Sequence, residues 1–467
     1  MPDNPNNQDK LSIAPLSLPK GGGSLQGMGE TVGTPGPDGM MHITLPSLPI
    51  SSGRGYAPVL SLNYNSGSGN SAFGLVWDTP LLTIRGQISH GRPLYHLDDT
   101  FIGVDNEVLV IAVDQAGQPI RYQKDSWQNI KLAENYQVTQ YQSRIGTGAE
   151  RIEYWQPVAT ESSQMPFWLI YSPDGQIHCL GKSANARIFG PKEQQHIAVW
   201  LLEEAVSPTG EHILYQYQAE NDQRTSEQER LQHSSATAQR YLTTVSYGNL
   251  SAYAAPYSLT DTLPPATDWL YYLIFDYGER SNQIDQTPEF LPQQAWSMRQ
   301  DPFSRFEYGF EIRTCRLCQQ VLMFHDLQRL QGLPGENTSP TLVRRLQLDY
   351  DQQAIVSQLI SCRQLAHDEN NSLTLPPLEF DYQSFRLPPN GNWQPLIEFN
   401  SMKDQQQYYL VDLYGEGIVG ILYEDNYAWY YRDPIRGQPQ TDEIRYSPAQ
   451  RLPNITHPAQ WWHFNGY

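Results

Sequence analysis

The sequence predicts a mostly β protein built from many short antiparallel strands. The chain of 467 residues contains 29 Tyr, 14 Phe and 11 Trp, residue types that favour the pleated surface of a sheet. It also contains 34 Gly and 35 Pro, which interrupt helices and supply turns. Short apolar segments alternate with polar turn sequences along most of the chain, a pattern typical of a large antiparallel sheet or a β-sandwich.

The predicted strands follow one another in chain order, and each ends in polar or turn-forming residues. They are MHITLPSLPI, YAPVLSLNYNSG, FGLVWDTPLLTIRG, RIEYWQ, FWLIY, VWLLEEAV, HILYQY, RYLTTVSYGN, WLYYLIFDYGER, GFEIRTCRLCQQVLMFH and TLVRRLQLDYD. In the second of these, Leu60, Leu62 and Tyr64 fall on one face, because side chains alternate along a strand. The interval NDQRTSEQERLQHSSATAQ is the least apolar and predicts an exposed loop with one helical turn.

Two turn sequences predict β-hairpins. FWLIYSPDGQIHCLGK places two apolar runs around Pro173, Asp174 and Gly175, where glycine supplies a positive φ and aspartate tolerates the turn. The same arrangement recurs around the turn Ser207-Pro-Thr-Gly210. Both segments therefore predict neighbouring antiparallel strands.

Proline pairs mark a domain boundary. The segment TLPPLEFDYQSFRLPPNGNW contains two Pro-Pro steps, which hold the backbone extended and semi-rigid. We predict a glycine-rich N-terminal strap over residues 1–40, a β domain over 41–374, a proline-rich linker over 375–399 and a compact β unit over 400–467.

Charge and hydropathy exclude several classes of partner. The formal net charge of −19 repels nucleic-acid phosphates and anionic membrane surfaces, and no run of Lys or Arg offsets it. No stretch approaches the roughly 18 consecutive apolar residues of a membrane helix, so we expect no direct membrane insertion. The start MPDNPNNQDK lacks the charged and apolar regions of a signal peptide, so we expect synthesis in the cytoplasm without a cleavable signal.

The four cysteines are too few for a disulfide framework in a chain of this length. Cys315 and Cys318 form a CxxC, but they lie within a predicted strand and no second CxxC completes a zinc site. Free structural thiols are the favoured interpretation.

The glycine-rich stretch KGGGSLQGMG, which contains Gly21, Gly22 and Gly23, invites comparison with a phosphate-binding loop. The lysine and hydroxyl that follow the last glycine of a Walker loop are replaced here by Met28 and Gly29. A dinucleotide loop needs a further glycine and a preceding strand, and both are missing. We therefore predict no nucleotide cofactor and interpret these glycines as a strap that lies closely against the sheet.

Catalytic patterns are weak throughout the sequence. Glu227-Gln-Glu229 has the Glu-x-Glu spacing of an ADP-ribosyltransferase, but the chain contains no Ser-Thr-Ser strand. Asp98-Asp99 and Glu203-Glu204 are doublets of acidic residues. The two side chains of a doublet on a strand point to opposite faces, so we interpret these residues as solvated or cross-strand carboxylates rather than as acid/base pairs. H-x-x-x-H and G-x-S-x-G motifs are missing as well. We predict no catalytic residues and no enzyme activity; an enzyme of unknown type is the third alternative.

A glycine-rich turn near the C-terminus has the spacing of a cation-binding loop. Asp412-Leu-Tyr-Gly415-Glu416-Gly417 resembles an Asp-x-x-Gly-Asp-Gly turn, which makes Asp412 and Glu416 weak candidates for calcium ligands. Because Leu413 and Tyr414 dilute the ligand set, a structural turn that uses Gly415 and Gly417 is the favoured interpretation, and we predict no metal.

Aromatic residues of the C-terminal region suggest a second function, a glycan-binding or adhesion module. The residues that would stack on sugar rings are Tyr427, Trp429, Tyr430, Tyr431, Trp461 and Trp462. Alternating aromatics are also typical of a buried strand core or an interface, and for Trp429 we favour that use.

Several long segments, in order, resemble one protein family. They are LSLPKGGGSLQGMGETVGTPGPDGM, LPISSGRGYAPVLSLNYNSGSGNSAFGLVW, SHGRPLYHLDDTFIG, WLLEEAVSPTGEHILYQY, FDYGER and RQDPFSRFEYGFEIRTCRLCQQVLMFH. Together they resemble the N-terminal SpvB domain, which is shared by a Salmonella plasmid virulence protein and by the B components of ABC-type Tc insecticidal toxins. The resemblance runs from about Leu16 to about Glu369. The later segment LVDLYGEGIVGILYEDNYAWYYRDPIRG resembles the start of the β-propeller in the Tc B components.

This resemblance implies a fold and a function. It implies a β-rich, non-catalytic wall piece of a shell that encloses a toxic effector, with residues 400–467 as the first, incomplete part of a propeller. The implied partners are the Rhs-type C component, which carries the cytotoxic cargo, and the pore-forming A component. It also implies release from a bacterium as part of a toxin complex.

Overall fold

The computed structural model describes most of the chain. The described residues are 31–33, 39–45, 48–52, 55–89, 91–96, 99–128, 130–146, 150–159, 162–233, 237–260, 269–331, 339–351, 356–368, 371–382, 407–414, 419–436 and 444–453. The chain forms two compact units, Met1–Asp381 and Tyr382–Tyr467.

The first unit consists almost entirely of strands. They are β1 (Thr31–Val32), β2 (His42–Leu45), β3 (Leu62–Asn65), β4 (Asn70–Ser71), β5 (Gly74–Leu75), β6 (Trp77–Asp78), β7 (Thr83–Gly86), β8 (Phe101–Ile102), β9 (Val108–Ile111), β10 (Arg121–Trp127), β11 (Ile130–Ser143), β12 (Arg151–Pro157), β13 (Phe167–Tyr171), β14 (Ile177–Leu180), β15 (Arg187–Gly190), β16 (Glu193–Val206), β17 (His212–Ala219), β18 (Arg240–Asn249), β19 (Trp269–Asp276), β20 (Phe303–Arg305), β21 (Ile312–Thr314), β22 (Gln320–His325), β23 (Thr341–Asp351), β24 (Gln358–Asp368), β25 (Asn371–Thr374) and β26 (Leu378–Glu379). Within the described residues its helices are α1 (Glu227–Gln232), α2 (Tyr257–Thr260) and 3-10 turns at Ala184–Ala186 and Leu327–Gln331. The fold is mostly β, as the sequence predicts.

Eight of these strands close into a ring. The antiparallel pairs β7–β8, β8–β9, β9–β11, β11–β12, β12–β13, β13–β14, β14–β16 and β16–β7 return to their starting strand. The long strand β16 makes closure possible, because it pairs with β14 and β15 along one edge and with β7 and β17 along the other. A closed ring has no free edge, which removes a site of unwanted strand pairing.

Aromatic side chains fill the interior of this ring. Trp168 of β13 lies within 6.1 Å, between ring centroids, of four other aromatic residues that project from different strands of the ring. They are Phe101, Tyr141, Tyr154 and Trp200. The closed ring is therefore a packed barrel, filled by large rings in tilted and edge-to-face contacts.

An open antiparallel sheet continues from the barrel through β16, β17, β18, β19, β22, β23 and β24. Both of its faces are covered. Leu273 and Phe275 of β19 belong to the main core, whereas Tyr272 and Ile274 of the same strand belong to a smaller cluster on the other face. Burial on both faces explains why WLYYLIFD is a continuous apolar run without polar alternation.

Both predicted hairpin turns are confirmed. β13 pairs with β14 across Gly175, whose φ is +84°, and β16 pairs with β17 across Gly210, whose φ is +82°. The predicted long strand GFEIRTCRLCQQVLMFH is wrong as a single element. It is split into β21 and β22, because the backbone N–H of Cys315 donates to the carboxylate of Glu220 and the hydroxyl of Tyr241 instead of to a neighbouring strand.

The second unit contains β27 (Tyr408–Val411), β28 (Gly420–Asp425), β29 (Ala428–Arg432), β30 (Pro434–Arg436), β31 (Ile444–Tyr446) and β32 (Gln450–Arg451). β27, β28, β29 and β32 form a four-stranded antiparallel sheet in that order, and β30 pairs with β31. None of the described helices is long and apolar enough to cross a membrane.

Candidate functional site

The glutamate of the transferase-like Glu-x-Glu motif is part of an ion pair. Glu229 lies in α1, whose first turn is capped by the Ser226 hydroxyl. Both carboxylate oxygens of Glu229 accept hydrogen bonds from Arg313, at 2.6 and 2.9 Å. This hydrogen bonding lowers the pKa of Glu229. A carboxylate held by a bidentate arginine binds α1 to β21 and is not placed to polarise a substrate.

A more deeply buried ion pair, between Arg316 and Glu220, involves the chain three residues after Arg313. The Arg316 guanidinium is fully buried, and its Nε donates to Glu220 at 2.7 Å. The hydroxyl of Tyr241 donates to the other oxygen of Glu220. The remaining Arg316 nitrogens donate to the backbone carbonyls of Trp296, Asn221 and Gln223. Arg316 thus joins three stretches of chain, and the sequence carried no signal for it because its partners lie far away along the chain.

The cysteines are buried free thiols. Burial, followed by the nearby carboxylates of Glu220 and Glu229, raises the pKa of Cys315 to about 12, and burial raises that of Cys318 well above its ordinary value. The thiolate is the reactive form of cysteine, so these groups are poorly suited to redox or nucleophilic chemistry. Within the described part of the chain, no cluster of three or more His, Cys, Asp and Glu side chains is arranged to hold a metal ion.

Glu204 and His212 form a buried cluster that contains the residue types of a catalytic triad. His212 Nδ1 lies 2.6 Å from a carboxylate oxygen of Glu204, and its Nε2 lies 2.6 Å from the carbonyl oxygen of Tyr253. Glu204 also accepts from the hydroxyl of Ser258 at 2.7 Å and from two backbone N–H groups at the start of α2. Because both ring nitrogens are occupied and the serine hydroxyl points at the carboxylate, no base faces a nucleophile.

This cluster corrects one expectation about the carboxylate doublets. Glu204 is completely buried, so the expectation of a solvated carboxylate is wrong for it, whereas the cross-strand alternative holds, because Glu204 of β16 contacts His212 of the neighbouring strand β17. Its four hydrogen-bond contacts replace the water that this carboxyl group loses on burial. Asp99 of the other doublet accepts from the backbone N–H groups of Leu94, Tyr95 and His96 and so holds a loop. Asp98 lies outside the described residues.

The FDYGER segment holds two carboxylates close together inside the protein. Asp276 Oδ1 accepts from the backbone N–H of Gly278 and of Glu279, while Glu279 Oε1 accepts from Arg280 at 2.9 Å. Burial and the neighbouring charge of Asp276 raise the pKa of Glu279 to about 8. The folded protein therefore favours the protonated form of Glu279 more than water does.

Asp301 and Arg299 bind the N-terminal strands to the far end of the open sheet. Arg299 donates to Asp301 at 2.9 Å and to the carbonyl of Ser71 at 2.6 Å. Asp301 also accepts from the side chain of Asn70 and from the backbone N–H of Ser357, which precedes β24. Burial alone would raise the pKa of Asp301, but hydrogen bonds from Arg299 and Ser357 outweigh it and lower the pKa to about 2.

The structure describes only some of the predicted site residues. Gly21, Gly22 and Gly23 lie outside the described residues, as do Gly415, Glu416 and Gly417. Asp412 follows β27 and is half-buried. The calcium alternative and the structural-turn interpretation therefore stay predictions.

The aromatic residues proposed for glycan stacking are divided between two faces of the second unit. Cross-strand pairing places Tyr430 of β29 beside Tyr423 of β28, with stacked rings 5.7 Å apart. Trp429 and Tyr431 point to the opposite face, where Trp429 lies 6.1 Å from Tyr409 and Tyr431 is buried. These side chains do not form one platform, and Trp461 and Trp462 lie outside the described residues.

The barrel, the open sheet and the buried ion pairs define an all-β protein whose internal polar groups join its strands and loops. The family model described as "SpvB: Salmonella virulence plasmid 65kDa B protein" matches residues 35–327. Curated relatives named mono(ADP-ribosyl)transferase SpvB from Salmonella choleraesuis and Salmonella dublin are 43% and 42% identical over 356 residues. The alignments cover 76% of this chain, which therefore belongs to the SpvB family, and the chain spans 57% of the length of those relatives.

Solved structures extend the similarity to a toxin complex. The crystal structure of TcdB2-TccC3 matches 95% of this chain with a TM-score of 0.80 and 49% identity, over 21% of its own chain. The Tc holotoxin pore of Photorhabdus luminescens matches 96% of this chain with a TM-score of 0.79 and 50% identity, over 20% of its own chain. The N-terminal domain of the effector protein SpvB from Salmonella typhimurium matches 70% of this chain with a TM-score of 0.64 and 42% identity, and 98% of that domain is covered.

Proposed function

We propose that the chain is a non-catalytic structural part of the B component of a Tc-type toxin. The observation that carries this proposal is the difference in coverage between two structural matches. The SpvB N-terminal domain covers 70% of this chain, whereas TcdB2-TccC3 covers 95% of it at higher identity. The similarity to the Tc structure thus includes more of the chain than the domain shared with SpvB.

In this role the first unit forms part of the shell around a toxic effector, and the second unit leads into the propeller that docks on the pore-forming component. The proposed partners are an Rhs-type C component, which carries the cargo, and the A component, which forms the pore. The chain is proposed to reach its target after release from the bacterium as part of this complex.

The absence of catalysis is part of the proposal, although the curated relatives are named transferases. It is supported by the use of the candidate groups in the fold: Glu229 is bound to Arg313, and His212 has both nitrogens occupied. The purified chain is expected to show no NAD hydrolysis and no modification of actin. Transfer of labelled ADP-ribose to actin above a no-protein control would contradict this part of the proposal.

Association with a C component is the direct test of the structural role. A complete B component whose matching N-terminal region is replaced by this chain is expected to co-elute with the C component in size-exclusion chromatography. A chimera that is folded and monodisperse but elutes apart from the C component would contradict the proposal. Specific binding of the isolated chain on a glycan array, lost in Trp429→Ala, would favour the adhesion alternative instead.

A further inference from the structure

A surface cleft of about 430 Å³ lies in the first unit. Three separate segments contribute to it: residues 92–95, the end of β15 with the start of β16, and residues 308–311. Its size falls within the range of ligand-binding clefts in proteins. Because these segments are distant in sequence, the folded domain and not a single loop creates the cleft.

One wall of the cleft is aromatic and held in place. The ring of Tyr95 stacks on the imidazole of His196, with centroids 4.2 Å apart and planes 8° from parallel. The Tyr95 hydroxyl donates to the carbonyl of Tyr308 at 2.6 Å, which fixes the end of the ring. The His196 side chain is still 38% exposed, so the stacked pair can be reached from solvent. Phe310, which is half-buried, supplies a further apolar surface.

The backbone at Tyr95 is strained. Tyr95 adopts a φ of +61°, an unfavourable conformation for tyrosine, and its backbone N–H donates to the carboxylate of Asp99. Strain of this kind persists only where the surroundings enforce it, and it concentrates at binding and active sites. The aromatic wall is therefore preorganised before any ligand arrives.

The polar lining of the cleft is balanced in charge. It contains two cations, Arg92 and Lys192, and two carboxylates, Glu193 and Glu311. Arg92 and Lys192 are exposed, and Glu193 remains 63% exposed although it lies 2.7 Å from His196. Since neither sign is in excess, the lining offers no net attraction to an anion or to a cation, and it favours a neutral ligand.

The same groups set what a neutral ligand must provide. Arginine and lysine only donate hydrogen bonds, and a carboxylate only accepts them, whereas a hydroxyl does both. The aromatic wall requires an apolar surface on the same ligand. A sugar ring combines these features, because its hydroxyls lie around the edge and its C–H groups form an apolar face.

We propose that this cleft binds a neutral oligosaccharide. The C–H face of one sugar ring packs against Phe310 and the Tyr95–His196 pair. The hydroxyls donate to Glu193 and accept from Arg92 and Lys192. This proposal does not depend on the toxin role, and its residues all belong to the first unit.

Saturation-transfer difference NMR tests the proposal with the whole chain and the neutral disaccharides lactose, maltose, cellobiose, mannobiose and diacetylchitobiose. We expect at least one of them to bind saturably with a Kd of about 1 mM or lower. Its affinity should change by less than roughly twofold between about 0.05 and 0.5 M NaCl, because an uncharged ligand is not subject to ionic screening.

Variants of the cleft localise the binding. Phe310→Ala is expected to raise the Kd at least roughly tenfold, because it removes part of the apolar surface. Phe306→Ala is the matched control, since Phe306 is 62% exposed, lies in the same segment and does not line the cleft, and it is expected to leave the Kd unchanged. Phe310 also packs against the main core, so Arg92→Ala combined with Lys192→Ala, both at exposed positions, is the second variant, with the same expected loss.

Three results would overturn the proposal. They are the absence of saturable binding by any of these disaccharides, a Kd that stays unchanged in both cleft variants, and equally tight binding of the neutral peptide acetyl-Gly-Trp-Gly-amide, which would identify a peptide site instead. Trp429→Ala separates the cleft from the aromatic residues of the second unit and is expected to retain sugar binding. Loss of binding in Trp429→Ala alone would contradict the cleft as the site.

Discussion

At the scale of single residues, charged side chains inside the first unit act as connectors. Arg316 and Glu220, Arg299 and Asp301, and the cluster around Glu204 each link stretches of chain that are distant in sequence. Removing one partner of such a pair leaves an uncompensated buried charge, which costs more than the pair itself contributes. These residues could not be identified from the sequence, because spacing along the chain does not show which distant group they meet.

Asp301 provides a test of this role. Replacing Asp301 by Asn should lower the free energy of unfolding by about 3 kcal/mol, because Arg299 loses its charged partner. Urea unfolding at neutral pH measures the difference. Asp125→Asn is the control, since the exposed Asp125 side chain accepts, among the described residues, one hydrogen bond, from Ser126 at 3.1 Å. The free energy of unfolding of this variant should stay within about 0.5 kcal/mol of wild type.

The same carboxylate should make stability sensitive to acid. Its pKa is about 2 in the folded protein and has an ordinary value of 3.8, so its contribution is present above pH 3.8 and is lost as the pH falls towards 2. Asp301→Asn should therefore lose less stability than wild type over this range. If acid lowers the free energy of unfolding equally in wild type and in Asp301→Asn, Asp301 is not the group responsible.

The raised pKa of Glu279 predicts the opposite dependence of stability on pH. Its pKa is raised from 4.5 to about 8 by burial and by Asp276, so the folded state holds a proton that the unfolded state has already released between these values. Stability should fall as the pH rises from 4.5 towards 8, by at most about 1.4 kcal/mol per pH unit. The stability of Glu279→Gln should be less sensitive to pH over this range, as thermal unfolding at several pH values can measure. If the dependence of stability on pH is the same in Glu279→Gln and in wild type, the assignment of the raised pKa to Glu279 is contradicted.

At the scale of elements, hairpins and glycine turns form as the local sequence predicts. Gly210 combines a positive φ with a close approach of backbone, because a Cβ at this position would lie 2.8 Å from the nitrogen of Tyr253. That nitrogen donates to the Gly210 carbonyl, which brings the two segments together. Gly117 has a φ of +76° but open space around it.

This contrast gives a matched pair of substitutions. Gly117→Ala should lower the free energy of unfolding by about 1 kcal/mol, because alanine is strained in the left-handed conformation. Gly210→Ala should cost about 1–3 kcal/mol more, because the added methyl group also displaces the backbone at Tyr253. Chemical denaturation of both variants measures the difference. Equal destabilisation would mean that the loop around Tyr253 moves freely to admit the methyl group.

The sequence predicts individual strands better than it predicts their arrangement. Alternation of side chains and the Pro-Asp-Gly turn identify strands locally, and a strand was predicted correctly at WLYYLIFD, although it ends at Asp276 and leaves out the predicted YGER. Closure of the barrel depends on the pairs β7–β16 and β9–β11, whose partners are not adjacent in the chain and leave no local pattern. The break between β21 and β22 was missed for the same reason, since Glu220 and Tyr241 determine it from a distance.

At the scale of the whole molecule, membership of the SpvB family leaves two possible roles, effector enzyme or container. The sequence resemblance identified the family because several long segments matched in order, and the family model and curated relatives confirm it. The predicted domain boundaries stay predictions, although the chain itself divides into units at Asp381 and Tyr382. The structural match over 95% of the chain to TcdB2-TccC3 favours the container.

Protection of an enclosed cargo tests this central claim most directly. A complete B component carrying this chain in place of its matching N-terminal region is purified with a C component and treated with protease, and the cytotoxic region is followed by mass spectrometry. We predict that this region stays intact in the chimera and is digested once the complex is denatured. Digestion of the cytotoxic region in an otherwise intact, folded complex would contradict the role of this chain as part of the shell.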